Sequence, residues 1–539
     1  MTTTNASLPA CLTRDNLTSP YFPNLSFAGL LAVAALCGVF LLTSFNRLNH
    51  TDLWCHLNFG RWMAEHRALP AVDPIATAPS ALPVLQSAWL SQLLGYEVQT
   101  RFGNEALALG HALLVMLAAG VLMLAVYRRG APAIWVWSAG AAMFLLDLPI
   151  LGTVRPQLFG QLGAALFLLA CAQMPKSRWP LVWLPLVSLL WANLHGTIAM
   201  GVAMLGIYAA SVTWTVWHEA AGDSKKLIRD SRLHTVWAAL LLVLAAACLN
   251  PHGPWLFART LQFHESATLS SISEWRALTP NSLTGVLMIL SVGSTALLVK
   301  YSPKKWEVHE IGLLLLFGLA TLPAIRMLAW WAIVWPWACI PHAAAAWRKY
   351  QTAKTGQPVR DHDEPTSMRT LMALGLVFTT LLIAPPTFSL VAGYGRGEAA
   401  ITVTGTPIYV ADEVLRRDLA GNVASPMDWG DFLFWKTNGR VRPLVHSHVH
   451  LVEPQTWRDY ETIFLGEQNW LALLRSHQMQ YVVAPKDRCP KLYEAVLRDD
   501  RTGQGGVRII YQDQRCLLAE VLPPAPPKPA AAPVPPTSG

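Results

Sequence analysis

Long apolar runs separated by short polar stretches dominate residues 1–391. Runs such as Ser26–Phe45, Ala106–Tyr127, Thr197–Trp217, Ser282–Leu298 and Thr370–Thr387 extend roughly 17–22 residues, enough for a helix to cross a ~30 Å hydrocarbon core. About eleven such segments can be counted at that length scale, and they predict a polytopic α-helical membrane protein. Arg155–Ala170 and Trp179–Trp191 are the short or interrupted members of the set. Between the first two runs lies a long polar loop, residues 46–104. It holds two amphipathic helical patterns, near Asp52–His66 and Ala88–Phe102, with Pro70, Pro74, Pro79 and Pro83 between them. Trp89 and Tyr96 suit a membrane–water interface. A further interfacial helix with turns is predicted in Asn250–Asn281.

After residue 391 the pattern changes to alternating helix and strand signals. Strands are predicted at Val423–Met427, Pro443–Ser447, Tyr481–Ala484, Arg508–Tyr511 and Cys516–Val521, with helices at Pro407–Leu419 and Trp457–Leu474. Residues 392–522 therefore read as a small C-terminal α/β domain. Residues 523–539, a Pro/Ala tail, cannot bury a core.

Composition agrees with this division. The 539-residue chain is 53% hydrophobic and 14% charged, well below the ~25% charged residues of soluble proteins. The net charge of +8 raises nucleic acid as a partner, but the placement of the charges answers it. Arg128 and Arg129, Lys176 and Arg178, Lys225, Lys226, Arg229 and Arg232, Lys300, Lys304 and Lys305, and Arg348, Lys349, Lys354 and Arg360 fall in alternate short loops. That alternation is the positive-inside pattern. It puts the N-terminus in the cytoplasm and everything after about Ala392 outside, and excludes a nucleic-acid role. The first apolar run lacks a basic leader and a cleavage motif and reads as an uncleaved span.

Under this topology the polar candidates gather on the outer face. Asp52 and His56 are one helical turn apart and share a face. They suit a general base with its orienting partner, or a helix N-cap with a solvated His. Asp73, the third catalytic candidate, precedes Pro74 and can equally well only start a turn. Asp147 ends the third span and can hydrogen-bond the following turn or pair with Arg155, which opens the next helix before Pro156. From Trp179 to Trp191 the fifth span rises only about 20 Å, short of the ~30 Å needed. Asn193 and His195 should therefore sit below the outer surface, lining a cavity or satisfied in the core. His252, Glu274 and Arg326 complete the outer set. Ionisable groups at membrane depth are functional candidates by default, and carboxylates with arginines suit an anionic, lipid-linked substrate.

In the soluble block His446, His448 and His450 alternate, as on one side of a strand. Three histidines can ligate zinc, but without a neighbouring Cys in sequence a structural or surface role is the expectation. Cys489 and Cys516 are candidates for a disulfide or for two separate buried thiols.

With these residues in view, the chain resembles the GT-C superfamily of membrane glycosyltransferases, in particular bacterial members related to protein mannosyltransferases and aminoarabinose transferases. The resemblance lies in the layout and in the strings Asp52-Leu53-Trp54-Cys55-His56, Gly60-Arg61 through Pro70 to Asp73-Pro74, Trp89-Leu90, Arg155-Pro156 and Trp191-Ala192-Asn193-Leu194-His195-Gly196. It implies transfer of a sugar from a polyprenyl-phosphate donor to an extracytoplasmic lipid, glycan or protein acceptor, in a bacterial inner membrane. Asp52 then acts as base or orients the acceptor, and Arg155 or Arg326 holds the phosphate. Several members carry a second acid within two residues, whereas Leu53 and Trp54 follow Asp52 here, so a divalent metal is not favoured. Two other classes stay open: a transporter or flippase of lipid-linked saccharides, and a non-catalytic envelope assembly protein. The oligomeric state is not legible.

Overall fold

The computed structural model describes residues 24–48, 52–77, 83–221, 223–263, 273–358, 363–502 and 505–524. The tail from residue 525, the Asn49-His50-Thr51 string and residues 264–272 of the predicted interfacial segment lie outside them. The chain forms two compact units, and each is built from two stretches of sequence. One comprises Met1–Asn49 with Leu85–Ile401, the other His50–Val84 with Thr402–Gly539.

The first unit is helical. Among the described residues, four helices are long and apolar enough to cross a membrane: Phe27–Ser44, Trp89–Arg128, Ile198–Ala220 and Leu283–Tyr301. Ser367–Ile383 and Pro385–Ala392 form a fifth if the pair, bent by 74°, is one span. The bend falls where Pro385 and Pro386 remove amide donors from the ladder. Five shorter apolar helices accompany them: Ala133–Asp147, Gln157–Gln173, Pro180–Leu194, Ser231–Ala247 and Val308–Thr321. Trp89–Arg128 is interrupted at Gly103, whose φ of 77° favours glycine. The amphipathic and apolar halves expected around residues 88–127 are thereby separated.

The core of this unit is organised around Trp191, which is 2% exposed. Its ring meets Phe167 edge-on at 5.4 Å and stacks on Trp330 at 6.1 Å. Gly163 and Gly201 make room for it: a Cβ on Gly163 would stand 2.4 Å from the indole, and one on Gly201 2.6 Å. Trp191 thus fixes the last turn of the Pro180–Leu194 helix. At 15 residues, that helix is only about 22 Å long, in keeping with the short fifth span.

The second unit is a five-stranded sheet with helices against it. Its strands are β1 (Gly421–Ala424), β2 (Val441–Pro443), β3 (Tyr481–Pro485), β4 (Val507–Gln512) and β5 (Cys516–Val521), in the order β2-β1-β3-β5-β4. β1 runs parallel to β2 and β3, whereas β5 is antiparallel to β3 and β4. The last two predicted strands and Tyr481–Ala484 are found nearly in place. The strand expected at Pro443–Ser447 ends instead at Pro443, after which the chain turns inward and buries Leu444, Val445 and His446.

The distant segment 52–77 completes this unit. The helix Leu53–His66 lies on the helix Met427–Lys436, with Trp54 against Phe432 at 5.3 Å and Trp435 at 6.0 Å. Asn58 donates to the carbonyl of Asp431 (3.0 Å), and Arg61 reaches the C-terminal end of the same helix. Further along, the amide of Thr77 donates to the Pro443 carbonyl (3.0 Å), and Arg442 donates to the carbonyls of Pro74 and Ala76. These contacts cover the edge of β2, which would otherwise offer unpaired backbone groups. Cys489 and Cys516 are both free and buried, so the two-thiol alternative holds.

Candidate functional site

In the second unit the sequence candidates Asp52, His56 and Asp73 come together with the three alternating histidines. Asp52 precedes the 53–66 helix with φ 57° and ψ −44°, a backbone conformation that non-glycine residues adopt at a cost. Its carbonyl accepts the first helical bond from the amide of His56 (2.9 Å), but its side chain makes no capping bond. The N-cap reading of Asp52 is thereby corrected. The ring of His56 meets His448 at 4.9 Å, so His56 belongs to the histidine cluster.

Asp73, expected in a turn, is 3% exposed. Its Oδ1 accepts from the amide of Ile75 (2.9 Å), and its Oδ2 lies 2.6 Å from His446 Nε2. Burial alone would raise the carboxyl, but the His446 ring and the Ile75 amide outweigh it and bring Asp73 down to about 2. The other ring nitrogen of His446, Nδ1, faces Cys55 Sγ at 3.5 Å and accepts from the amide of His448 (3.2 Å). Cys55 is fully buried. Burial first, then the acids Asp431 and Asp73, push its thiol well above the ordinary range.

His448 stands 5.8 Å from His446 and 5.4 Å from His450, ring to ring. Packing around the rings depresses His448 to about 4 and His450 further. Asp431, fully buried, is pushed up to about 8 by desolvation and accepts from the amide of Ser447 (3.3 Å). Of the two roles expected for these histidines, His446 takes the structural one: it is 0% exposed, whereas His448 and His450 are half-buried. Cys55 and Asp431 were not singled out from the sequence. The available signal was the placement of Cys55 three residues after Asp52, on the same helix face.

In the first unit the outer candidates form smaller groups. Arg155 is held by Glu274 through both carboxylate oxygens, at 2.5 and 2.6 Å. Beside Glu274, the ring of Trp275 carries the Arg326 guanidinium at 4.3 Å. Two arginines are thus anchored on adjacent residues. Asp147 does not pair with Arg155; it is buried and accepts from Gln161 (2.6 Å).

Asn193 is engaged on all sides. Its Oδ1 accepts from Trp89 Nε1, and its Nδ2 donates to the carbonyls of Leu189 and Leu249, each at 2.8 Å. His195 Nδ1 lies 2.7 Å from Thr197 Oγ1. His252 Nε2 accepts from the amide of Gln86 (2.8 Å). Asn193 therefore ties three segments together, and His252 holds the start of the segment that follows the proline-rich loop.

This architecture has counterparts among solved structures. The archaeal oligosaccharyltransferase AglB from Archaeoglobus fulgidus, in complex with an inhibitory peptide and a dolichol-phosphate, is 14% identical with a TM-score of 0.54. The match covers 87% of this chain and 70% of that one. A second structure of the Archaeoglobus fulgidus oligosaccharyltransferase, tethered to an acceptor peptide, has a TM-score of 0.52 and the same identity, with 90% and 73% covered. The chain shares its fold with these two structures. ArnT from Cupriavidus metallidurans bound to undecaprenyl phosphate is 15% identical over 91% of this chain and 97% of that one, with a TM-score of 0.49. No protein-family model and no curated protein matches the sequence. Likeness at this identity concerns the fold alone, and the activity is argued from the residues.

Proposed function

We propose that this protein is a membrane glycosyltransferase that moves a sugar from a polyprenyl-phosphate donor to an acceptor outside the cytoplasm. The observation that carries the reading is the GT-C fold shared with an oligosaccharyltransferase whose structure contains dolichol-phosphate. The proposed setting is a bacterial inner membrane, with about eleven spans of the usual length, a cytoplasmic N-terminus and an outer C-terminal block. Membrane residues 1–391, soluble residues 392–522 and a Pro/Ala tail are the proposed divisions.

The roles follow from the charges. In the first unit Arg155 and Arg326 supply the cationic groups for the donor phosphate, by charge-assisted bonds that neutralise the leaving group. Glu274 holds Arg155 extended until the phosphate replaces it. Asp147, Asn193, His195 and His252 shape the surrounding turns. In the second unit Asp52 takes the acceptor proton as its oxygen bonds to the anomeric carbon, and His56 orients it. The bond from that carbon to the phosphate oxygen breaks, releasing polyprenyl phosphate with inversion. Asp73, already bound to His446, positions the cluster and does not itself take the proton.

The test is transfer from a radiolabelled polyprenyl-phosphate sugar by the purified chain, compared with Asp52→Asn. Removing a general base costs about 10²–10⁴-fold in rate. Unchanged transfer by a folded Asp52→Asn protein would remove Asp52 from this role, and no transfer by the parent with any such donor would remove the activity.

A further inference from the structure

Three side chains from segments almost 400 residues apart converge in the second unit on a point with the chemistry of a metal centre. The ligand atoms of Cys55, His446 and His448 all lie within 4.8 Å of one another. We propose that these three residues bind a transition metal of the zinc class, with Asp73 orienting the His446 ring from behind.

The geometry can be compared with that of the ion. Zinc holds thiolate sulfur at ~2.3 Å and imidazole nitrogen at ~2.0–2.1 Å in a tetrahedron, which sets sulfur and nitrogen about 3.6 Å apart. Cys55 Sγ and His446 Nδ1 are 3.5 Å apart. The His448 ligand atom lies within 4.8 Å of both. The tautomer is also prepared. His446 Nε2 gives its proton to Asp73 at 2.6 Å, which leaves the Nδ1 lone pair facing the sulfur. The Nδ1 lone pair now accepts from the His448 amide at 3.2 Å, and metal binding replaces that hydrogen bond. A histidine ligand backed by a carboxylate is the usual support for zinc, fixing ring orientation and raising ligand basicity. Asp73 is itself fixed by the Ile75 amide.

The same atoms in line, thiol, imidazole and carboxylate, also describe a nucleophile with its base and orienting acid. Two observations favour the metal. Cys55 is 0% exposed, so no acyl or phosphoryl substrate reaches its sulfur. A second imidazole, His448, stands within ligand distance of the same point, which a nucleophile does not require. One sulfur and two nitrogens select zinc or a similar borderline ion over magnesium, calcium or manganese, which prefer oxygen. Binding breaks the Cys55 S–H bond, leaves both electrons on sulfur and releases one proton, while the imidazoles bind neutral. Three protein ligands leave one tetrahedral position for water. This centre does not depend on the proposed glycosyl transfer, because zinc can be held there whether or not Asp52 acts as a base.

The test uses the full-length chain in detergent. Metal content is measured by mass spectrometry after purification and again after stripping and reloading with Zn²⁺ or Co²⁺ alone. The expected result is one zinc per chain and, with cobalt, a near-ultraviolet thiolate-to-metal band that Cys55→Ser abolishes. Asp73→Asn keeps the band but lowers zinc affinity about 10–100-fold, as for lost carboxylate partners elsewhere. Absence of stoichiometric zinc from both purified and reloaded parent protein overturns the proposal, as does a band that persists in Cys55→Ser. Should Cys55→Ser fail to fold, the parent still decides. Zn²⁺ must protect Cys55 from alkylation in mild denaturant, and equal labelling with and without Zn²⁺ refutes the site.

Discussion

Arg61 offers a direct test of whether the segment after the first span is part of the C-terminal unit. Its side chain is buried, 9% exposed. It donates to Asn438 Oδ1 at 2.7 Å and Asn58 Oδ1 at 3.0 Å, with longer contacts to the carbonyls of Phe434 and Trp435 at 3.4 Å. Those carbonyls belong to the last turn of the 427–436 helix, where they also accept from the amides of Gly439 and Asn438 and carry partial negative charge. The guanidinium also lies over the rings of Phe434 and Trp435, at 5.4 and 5.2 Å. Arg61→Met keeps most of the stem and its packing while removing every donor. Two charge-assisted hydrogen bonds at ~1.5–3 kcal/mol each, only partly additive, give an expected loss of about 3–4 kcal/mol. Arg61→Lys keeps the charge but not the planar fork, and should lose about 1–2 kcal/mol. Because the chain has two units, a single melting temperature mixes them, and the better assay is limited proteolysis of the C-terminal block in the full chain. When cleavage tracks the open population, 3 kcal/mol raises its rate roughly 100-fold. A change below about twofold for Arg61→Met, near 0.4 kcal/mol, would refute the assigned role of this contact.

Further predictions test other parts of the molecule. Residues 402–539 expressed alone should expose the face of the 427–436 helix that Trp54 covers, and aggregate; co-expression with residues 50–84 should restore a soluble, protease-resistant product, and a stable lone fragment would contradict the two-segment unit. Gly163→Ala places a methyl against the Trp191 ring and should cost about 1–3 kcal/mol as overpacking, read as a lowered thermal midpoint in detergent. At the β4–β5 turn, burial alone would raise the Asp513 carboxyl, but amide bonds from Cys516 and Arg515 and the Tyr511 hydroxyl outweigh it and hold it low. Asp513 therefore adds stability that is fully present above the ordinary carboxylate range and fades as pH falls through the lowered value. Asp513→Ala should cost about 1 kcal/mol at pH 7 and progressively less under acid, by proteolysis of the C-terminal block across pH. Arg155→Gln should raise the donor KM about tenfold or more, for one lost charge-assisted contact, with thermal stability little changed; an unaltered KM would detach Arg155 from the donor.

The parts of this molecule legible in sequence are those governed by local periodicity. The apolar runs became helices, the two patterns flanking Gly103 became the two halves of one interrupted helix, and Cys516–Val521 became a strand with the expected bounds. Pro443 illustrates the limit. Its neighbours carry the β-favouring residues of a strand, but the chain leaves the sheet after it because burying Leu444, Val445 and His446 outweighs the local preference. The histidine row meets the same limit: alternation tells which side a residue faces and not what lies against His446. Cys55 and Asp73 cover it, and a pairing across more than 370 residues leaves no periodic mark in either segment. Arg155 shows the same limit among charges. Asp147, close in sequence, was the obvious partner, but Glu274 lies on its guanidinium.

The division of the second unit between two distant segments has a consequence for biosynthesis. Residues 50–84 emerge early, but their partners begin at Thr402, about 320 residues later, and at ~5–20 residues per second the ribosome needs roughly 16–64 s to supply them. Through that interval Trp54, Leu57 and Phe59, all buried in the finished unit, have nothing to pack against. The cluster around Cys55 and His446 therefore forms only after the whole membrane block has been synthesised. A chain that stalls or misinserts midway leaves an apolar segment open to quality-control proteases and never brings Cys55 to His446.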